Sequence, residues 1–154
     1  MSDVDLPASQ SLEAVLQELN ACLTGPVHAA RARASERAAT LFGASERLIV
    51  YGSLAPGRAN YHQVAPLGGE WTSGWISGDQ VPTGWGADLG YAAVRWRAGG
   101  ERIPAWLLRS AGLPSAWARL DAFEGPAYQR LLAPFETEAG VVAIGYFYAA
   151  AAGA

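Results

Sequence analysis

Lysine is absent from this chain of 154 residues, and all eleven of its basic residues are arginine. Without a lysine amine, the protein cannot form a Schiff base, bind pyridoxal phosphate covalently or build the lysine-containing Walker A phosphate loop. The chain has one cysteine, Cys22, and two histidines, His28 and His62. One cysteine cannot make an internal disulfide, and so few sulfur and imidazole ligands argue against a zinc site.

Charge and long apolar runs are also scarce. The net charge of −3 and the pI near 5.3 argue against a nucleic acid or an anionic membrane as partner. Acidic Asp3 and Asp5 stand where a signal peptide needs basic residues, and no apolar run reaches the length of a membrane span. With 51% hydrophobic and 16% charged residues, the composition is that of a compact globular protein. We expect one soluble, cytoplasmic domain.

Residues 1–45 predict a helical extension. Between residues 9 and 23, apolar residues recur at helical spacing: Leu12, Val15, Leu16, Leu19 and Leu23. Cys22 lies on the flank of this stripe as a small core residue. Thr24-Gly25-Pro26 ends the helix, and the alanine- and arginine-rich residues 27–42 predict a second helix that begins near a solvated His28 and ends at Gly43. The pair forms either an αα-hairpin packed on the main fold or a dimerisation element, so a homodimer stays open.

After residue 46 the chain changes to glycine, tryptophan and short apolar segments, which predicts a separate region over residues 46–149. Strand patterns cover residues 48–51, 71–75, 91–97, 103–108, 128–138 and 141–148, and one helix pattern covers residues 113–124. Gly74 predicts a kink, Gly99-Gly100 predicts a hairpin that pairs residues 91–97 with 103–108, and Pro104 indicates a sheet edge or bulge. This α+β pattern suggests a small β-barrel or curved sheet with helices outside. Residues 150–154 predict a disordered tail.

The first of these strands, Leu48 to Tyr51, is a short and continuous apolar run that stops at Gly52-Ser53-Leu54. A buried strand that ends in Gly-Ser brings free backbone N–H groups to one place, where they can bind an anion or a carboxylate. The alternative is a core strand followed by an ordinary turn.

Glu124 ends the apolar stripe of the 113–124 helix. The stripe consists of Leu113, Trp117, Leu120 and Glu124, at spacings of four, three and four, which places them on one helix face. Burial and a position at the negative end of the helix dipole would both raise the pKa of this carboxyl group toward neutral, as a general base requires. The alternative is a frayed helix end with Glu124 in water. Asp121 lies at the edge of the stripe and suits a local hydrogen bond.

The segments Tyr51-Gly52-Ser53-Leu54 and LDAFEG (residues 120–125), followed by Tyr128 and Arg130, resemble the γ-glutamylcyclotransferase-like superfamily. The closer resemblance is to its AIG2-like and γ-glutamylamine cyclotransferase branch. It covers roughly residues 46–149 and does not extend to the helical extension.

The resemblance implies a small mixed β-barrel with flanking helices and a transferase or lyase chemistry. The α-amino group of a small γ-glutamyl substrate attacks its own γ-carbonyl, which expels an amine and forms 5-oxoproline. By match, Glu124 is the general acid/base, and the loop of Tyr51, Gly52, Ser53 and Leu54 binds the glutamyl end through backbone N–H groups. The reaction needs no metal and no cofactor.

Other positions keep more than one interpretation. Tyr128 is either a hydroxyl at the cavity edge or a core aromatic residue. Arg130 fits an ion pair with Asp121 or Glu136 better than a substrate contact. Asn60 and His62 lie in a loop near the expected cavity. Residues 78–94, which are rich in glycine and tryptophan, suggest an atypical leaving-group side.

A second class of function remains open from the sequence. The same barrel can hold a small ligand, or use the helices of residues 9–42 as an interaction surface, without turnover. The two classes differ in what they expect of Glu124. An enzyme needs it buried with a raised pKa, whereas a binding module tolerates an ordinary carboxylate.

Overall fold

The structure is a computed structural model that describes residues 11–52, 54–81 and 93–151. Two helices come first, α1 (Leu12–Thr24) and α2 (His28–Phe42). The Ser11 hydroxyl caps α1 by accepting a hydrogen bond from the Ala14 backbone N–H at 3.1 Å. Gly43 ends α2 with a φ of 64°, a left-handed conformation that glycine adopts without steric cost. Both helices therefore begin and end close to the predicted positions.

Six strands follow within the described residues: β1 (Arg47–Val50), β2 (Glu70–Val81), β3 (Ala93–Trp96), β4 (Glu101–Arg109), β5 (Tyr128–Thr137) and β6 (Gly140–Ala150). The strand order is β1-β4-β2-β3-β6-β5, and β1 also pairs with β6 in parallel. That last pairing closes β1, β4, β2, β3 and β6 into a five-stranded mixed barrel. The extra strand β5 pairs with β6 and meets β2 where Trp75 pairs with Glu136. The expected α+β barrel with flanking helices is confirmed.

The strands contribute side chains to two separate hydrophobic clusters, because alternate residues of a strand point to opposite faces. One fills the barrel interior and includes Ile49, Ile76, Leu107, Phe135 and Phe147. The other lies between the barrel wall and the helices, and it draws on the strand positions that point the opposite way, such as Leu48, Leu108, Leu132, Tyr146 and Tyr148. Because β1 is covered on both faces, its sequence is a continuous apolar run instead of an alternating one.

The predicted pairing between residues 91–97 and 103–108 is wrong. β3 and β4 do not pair with each other; they pair with opposite edges of β2. The turn at Gly99-Gly100 carries the chain across β2 at Gly78, which pairs with Trp96 on one side and Glu101 on the other. A Cβ on Gly78 would lie 2.0 Å from the Arg95 carbonyl oxygen, so the crossing requires glycine at this position.

β2 is longer than the predicted strand of residues 71–75 and continues through Gly74 to Val81. A Cβ on Gly74 would lie 2.2 Å from the Glu136 carbonyl oxygen, so this glycine allows β5 to approach closely and does not end the strand. Pro104 pairs with Trp75 of β2, and β1 reaches β4 only from Trp106 to Arg109. Pro104 therefore lies where β4 no longer pairs with β1. This side of β4 is a sheet edge, where a proline is tolerated.

The predicted helix over residues 113–124 is two elements. Leu113–Ser115 form a 3-10 turn, and α3 spans Trp117–Glu124. Pro114 falls in the 3-10 turn and removes a backbone donor, which suits a tight helix start. The predicted tail also begins too early, because Ala150 is a buried residue of β6. Residues 152–154 lie outside the described residues.

The two N-terminal helices pack on the main fold as an αα-hairpin, which we call the helical hairpin (residues 12–42). Val15, Leu16 and Leu19 of α1, with Ala34, Ala38 and Phe42 of α2, are buried in the cluster outside the barrel. Cys22 is half-buried beside this cluster, and His28 is exposed, as expected. Among the described residues, no helix is both long and apolar enough to cross a membrane.

Candidate active site

Glu124 is the last residue of α3, and its side chain is buried with 8% exposure. It completes the buried stripe of Trp117 and Leu120, as the sequence spacing predicts. Burial raises the pKa of the Glu124 carboxyl group from 4.5 to about 7. Glu124 also lies at the C-terminal end of α3, the negative end of the helix dipole, where a negative charge is disfavoured.

Gly125 follows Glu124 and fixes the point at which α3 ends. Its φ of 83° ends the helix in a conformation that favours glycine, and its N–H donates to the Asp121 carbonyl at 3.1 Å. The chain then turns back at once, because the Tyr128 N–H donates to the Gly125 carbonyl at 3.2 Å. β5 begins at Tyr128, so the Phe-Glu-Gly sequence joins the helix directly to the strand that carries the neighbouring tyrosine.

Three tyrosine hydroxyls lie within electrostatic range of Glu124. Burial raises the pKa of Tyr51, Tyr128 and Tyr148, and the negative charge of Glu124 raises each of them further. Tyr128 is half-buried, whereas Tyr148 is buried. Within the described part of the chain, Glu124 forms no ion pair.

Asp121, one turn before Glu124 in α3, has a different environment. It is exposed and accepts two hydrogen bonds from Arg130, at 2.8 and 3.2 Å, and one from the Tyr148 hydroxyl at 2.7 Å. The Arg130 guanidinium also lies 4.5 Å from the Trp117 ring centroid and 4.6 Å from that of Tyr146. The predicted ion pair between Arg130 and Asp121 is confirmed, and it holds β5 against α3.

The loop after β1 leaves the barrel next to the same hydrophobic cluster. Leu54 and Ala55 are buried in the cluster that also contains Leu120, and the Ala55 N–H donates to the Gly52 carbonyl at 3.1 Å. A Cβ placed on Gly52 would meet no described atom within 4 Å, so open space adjoins the backbone there. Ser53 lies outside the described residues.

The Tyr51 side chain has a structural role. Its hydroxyl donates to the Tyr148 carbonyl and accepts from the Val94 N–H at 3.2 Å. These two bonds tie the end of β1 to β6 and β3. The Tyr51 hydroxyl is thereby occupied by hydrogen bonds within the barrel.

Tyr128 and Tyr148 differ in whether the sequence predicts a place for them near Glu124. Tyr128 follows the Phe-Glu-Gly motif and is predicted from it. Tyr148 was missed, although its period-two spacing from Tyr146 in a strand indicates that both lie on the same face. Of the loop residues near the expected cavity, His62 is exposed and in contact with Gln63. Most of the 78–94 segment lies outside the described residues.

The described residues contain no group of three or more histidine, cysteine, aspartate or glutamate side chains placed to hold a metal ion. What the site offers is a buried carboxyl group, whose pKa is raised to about 7, and a glycine backbone beside open space. This arrangement can move a proton near pH 7.

Two solved structures resemble this chain. The uncharacterised protein PH0828 from Pyrococcus horikoshii is 16% identical, with a TM-score of 0.48, and the match covers 69% of this chain and 78% of that one. YkqA from Bacillus subtilis is 20% identical, with a TM-score of 0.48, and the match covers 68% of this chain and 35% of YkqA. No curated protein gives a significant match. Residues 48–153, which include the barrel, α3 and the Phe-Glu-Gly motif, match the model of one protein family. The chain belongs to that family, which is described as "Gamma-glutamyl cyclotransferase, AIG2-like".

Proposed function

We propose that this protein cyclises the glutamyl part of a small γ-glutamyl amide or amine to 5-oxoproline and releases the amine, with Glu124 as general acid/base. The family supports a γ-glutamyl cyclotransferase-like activity in general terms. The observation that carries the finer proposal is the buried Glu124 carboxyl group, whose pKa is raised to about 7. A group with this pKa is both a usable base and a usable acid at neutral pH.

The reaction moves two protons between two nitrogen atoms of the substrate. The α-ammonium nitrogen begins with three hydrogens and ends as a lactam N–H with one, while the amide nitrogen that leaves gains two. The ionised Glu124 carboxylate takes one proton from the α-ammonium, the freed amine attacks the γ-carbonyl, and the C–N bond to the leaving group breaks as Glu124 returns that proton to the leaving nitrogen. The attacking nitrogen gives up its second proton to water as the lactam forms, and the released amine takes up one proton from water. All reacting atoms belong to the substrate, so the step balances without a co-reactant.

The nucleophile and the electrophile are parts of one molecule, so the protein has to hold the substrate in a folded conformation. We assign this role to the loop of Tyr51, Gly52, Ser53 and Leu54, because open space adjoins Gly52 and Leu54 is buried in the hydrophobic cluster that also contains Leu120 of α3. Its backbone N–H groups would bind the glutamyl carboxylate. Tyr128 is the hydroxyl we place at the edge of the site, because its side chain is half-buried and feels the charge of Glu124.

Replacing Glu124 by glutamine tests the assignment, because it preserves the shape of the side chain and removes its proton chemistry. We expect release of 5-oxoproline by Glu124→Gln to fall at least about 100-fold, the lower range of what a positioned general acid/base contributes. The assay measures 5-oxoproline from a panel of γ-glutamyl compounds. Glu138→Gln is the matched control, since it makes the same change to an exposed carboxylate in the turn between β5 and β6.

Equal release by wild type and Glu124→Gln would remove Glu124 from the mechanism. No release by either folded protein, from any member of the panel, would favour a ligand-binding module on the same barrel. Folding of each variant is checked by thermal unfolding, so loss of activity is not confused with loss of structure.

A further inference from the structure

Two arginines lie opposite each other at one end of the barrel wall. β1 and β4 are antiparallel, and their register pairs Arg47, the first residue of β1, with Arg109, the last residue of β4. Residues that are directly opposite in such a pair point to the same face, with Cβ atoms about 5 Å apart. Both side chains are half-buried. Like charges at this spacing destabilise a pair of strands unless a negative charge compensates them.

No carboxylate among the described residues pairs with either arginine, because the ion pairs there are made by other arginines. Arg47 donates to the Phe42 carbonyl at the end of α2, and Arg109 makes one long contact of 3.5 Å with the Thr72 hydroxyl. Burial, and next to it the charge of Arg109, lowers the pKa of Arg47. Each guanidinium carries five N–H donors, so both keep donors for a further acceptor.

Two acidic residues lie near the arginines without pairing with them. Glu46 precedes Arg47, and its charge raises the pKa of Arg47 by less than burial and Arg109 lower it. Glu70 is the neighbour of Arg109 on the β2 side. Both glutamates are exposed, and neither forms an ion pair in the described part of the chain. Their charges therefore act on the arginines through solvent, where such effects are small.

A cavity of about 420 Å³ borders the two arginines, and we call it the arginine cavity. Arg47 and Arg109 line it together with residues from the end of α2, from the turn before β1 and from the segment after β4: Ala39, Gly43, Ser45, Glu46, Ser110 and Ala111. Its volume falls within the range of small-molecule sites in proteins. The pair of unmatched positive charges is thus open to a ligand.

The arginine cavity is separate from the candidate active site. Arg47 begins β1, and the strand runs about 10 Å to Val50 before it reaches the loop that contains Gly52. Neither Glu124 nor Gly52 is among the described residues that line the cavity. A ligand bound at the arginines would therefore lie at the opposite end of β1 from the proposed substrate.

We propose that the arginine cavity binds a phosphate group, which compensates Arg47 and Arg109 together. Arginine forks match the geometry of phosphate oxygens and donate to them in pairs. A phosphate monoester carries close to two negative charges at neutral pH, so it balances both arginines, whereas a carboxylate would balance one. The cavity has room for more than a bare phosphate ion, which favours a phosphate monoester as the ligand. This inference does not rest on the proposed cyclisation.

Thermal unfolding with added inorganic phosphate tests the site. We expect about 10 mM phosphate, ten times a dissociation constant near 1 mM, to raise the unfolding midpoint of wild type by about 4 °C beyond sodium chloride of equal ionic strength. Arg109→Gln should lose most of this shift, and it is preferred to a change at Arg47, which also holds the end of α2. Arg95→Gln is the control, because it removes an exposed arginine from β3, and it should keep the full shift.

Two outcomes of this titration would overturn the inference. One is the absence of a shift in wild type beyond the sodium chloride control. The other is an equal shift in wild type and Arg109→Gln, because stabilisation by general exclusion of phosphate from the protein surface acts on both proteins alike.

The repulsion between the two arginines predicts a further result without any ligand. In phosphate-free buffer of low ionic strength, Arg109→Gln should unfold about 1 °C or more above wild type, because it removes the charge opposite Arg47. Saturating phosphate should reverse this order. A lower midpoint for Arg109→Gln in phosphate-free buffer would mean that the charge of Arg109 is already compensated within the chain, and it would contradict the proposal.

Two more ligands distinguish the sources of the phosphate group. Glycerol 3-phosphate represents a soluble monoester, and phosphatidylcholine vesicles that contain phosphatidic acid represent a lipid headgroup. We expect binding of the soluble ester and no sedimentation with the vesicles, since a net charge of −3 disfavours an anionic membrane. Vesicle binding that Arg109→Gln abolishes would instead assign the phosphate group to a lipid. Binding of inorganic phosphate alone would overturn the assignment to a monoester.

Glu124→Gln separates this inference from the proposed function. Its midpoint should rise with phosphate as much as that of wild type, whether or not wild type releases 5-oxoproline, because the cavity and Glu124 do not share residues. A phosphate shift that is lost in Glu124→Gln and kept in Arg109→Gln would place the bound phosphate at the candidate active site and would overturn the inference.

Discussion

Glu124 and Asp121 are two carboxyl groups on one short helix, a single turn apart, with opposite surroundings. Asp121 is exposed and bound by the Arg130 guanidinium and the Tyr148 hydroxyl. Glu124 is buried, with no cation paired to it among the described residues, and its pKa is raised to about 7. Burial favours the neutral form of the Glu124 carboxyl group. The helix thus separates a structural carboxylate from one that can exchange protons near neutral pH.

The raised pKa of Glu124 has a consequence for stability that does not depend on any substrate. The folded protein holds a proton on Glu124 up to about pH 7, whereas the unfolded chain loses it near pH 4.5. Between these values the folded state binds more protons, so this group's contribution to stability falls as the pH rises. We expect the free energy of unfolding of wild type, relative to Glu124→Gln, to fall by about 3 kcal/mol over that interval.

Denaturant unfolding of both proteins at a series of pH values measures this difference. Glu124→Gln serves as the reference for wild type, because glutamine does not titrate and all other titratable groups are the same in both proteins. Above pH 7 the variant should be the more stable protein. A difference between the two that stays flat from pH 4.5 to 7 would mean that Glu124 ionises as it does in water, and the basis for its catalytic assignment would be lost.

At the scale of elements, the sequence predicts what depends on neighbours along the chain. The stripe of Leu113, Trp117, Leu120 and Glu124 is a local pattern, and it correctly places Glu124 on a buried face although the helix begins only at Trp117. The bounds of α1, α2 and β1 follow from local periodicity and from Gly43 in the same way. Such a local pattern predicts the structure correctly because tertiary contacts bury the face that the pattern already defines.

Pairing between strands is not a local property, and the prediction fails there. Gly99-Gly100 has the composition of a hairpin turn, yet β3 and β4 lie on opposite edges of β2. The deciding contact is between Gly78 and the Arg95 carbonyl, and a sequence does not show which backbone will cross a glycine. The sequence also gives no sign of the cleft of about 400 Å³ between the helical hairpin and β5, because Arg31 and Tyr128, which both line it, are distant in the chain.

The attachment of α1 to β5 gives the prediction at this scale. Asn20 satisfies both backbone groups of Leu132, so Asn20→Ala should leave an N–H and a carbonyl without protein partners at a half-buried position. We expect a loss of about 2 kcal/mol in the free energy of unfolding, as for a buried polar group deprived of its partner. Chemical denaturation measures it.

Gln17→Ala provides the comparison, because Gln17 is exposed on the same helix and bonds only to Glu13 within the described contacts. Gln17→Ala also replaces a polar side chain by alanine within α1, and it should alter stability by less than about 0.5 kcal/mol. If Asn20→Ala were as mild as Gln17→Ala, the Leu132 edge would be satisfied by water, and the helical hairpin would be held by its apolar contacts alone.

At the scale of the whole molecule, the helical hairpin and the barrel share one hydrophobic cluster. Leu16 of α1 and Leu132 of β5 both belong to it, and both have 0% exposure. A core that draws residues from two parts of a chain couples their unfolding, because neither part can separate without exposing the other. We therefore expect the hairpin and the barrel to unfold together, although only the barrel belongs to the family match.

All six tryptophans lie between residues 71 and 117, so intrinsic fluorescence reports on the barrel region, while far-UV circular dichroism is dominated by the helices. The two signals should show the same unfolding midpoint. Leu16→Ala and Leu132→Ala should each lower both midpoints together, at a cost of about 3 kcal/mol per removed side chain. A helical signal that is lost first, with the fluorescence of Leu16→Ala unmoved, would show the hairpin to be a separable unit.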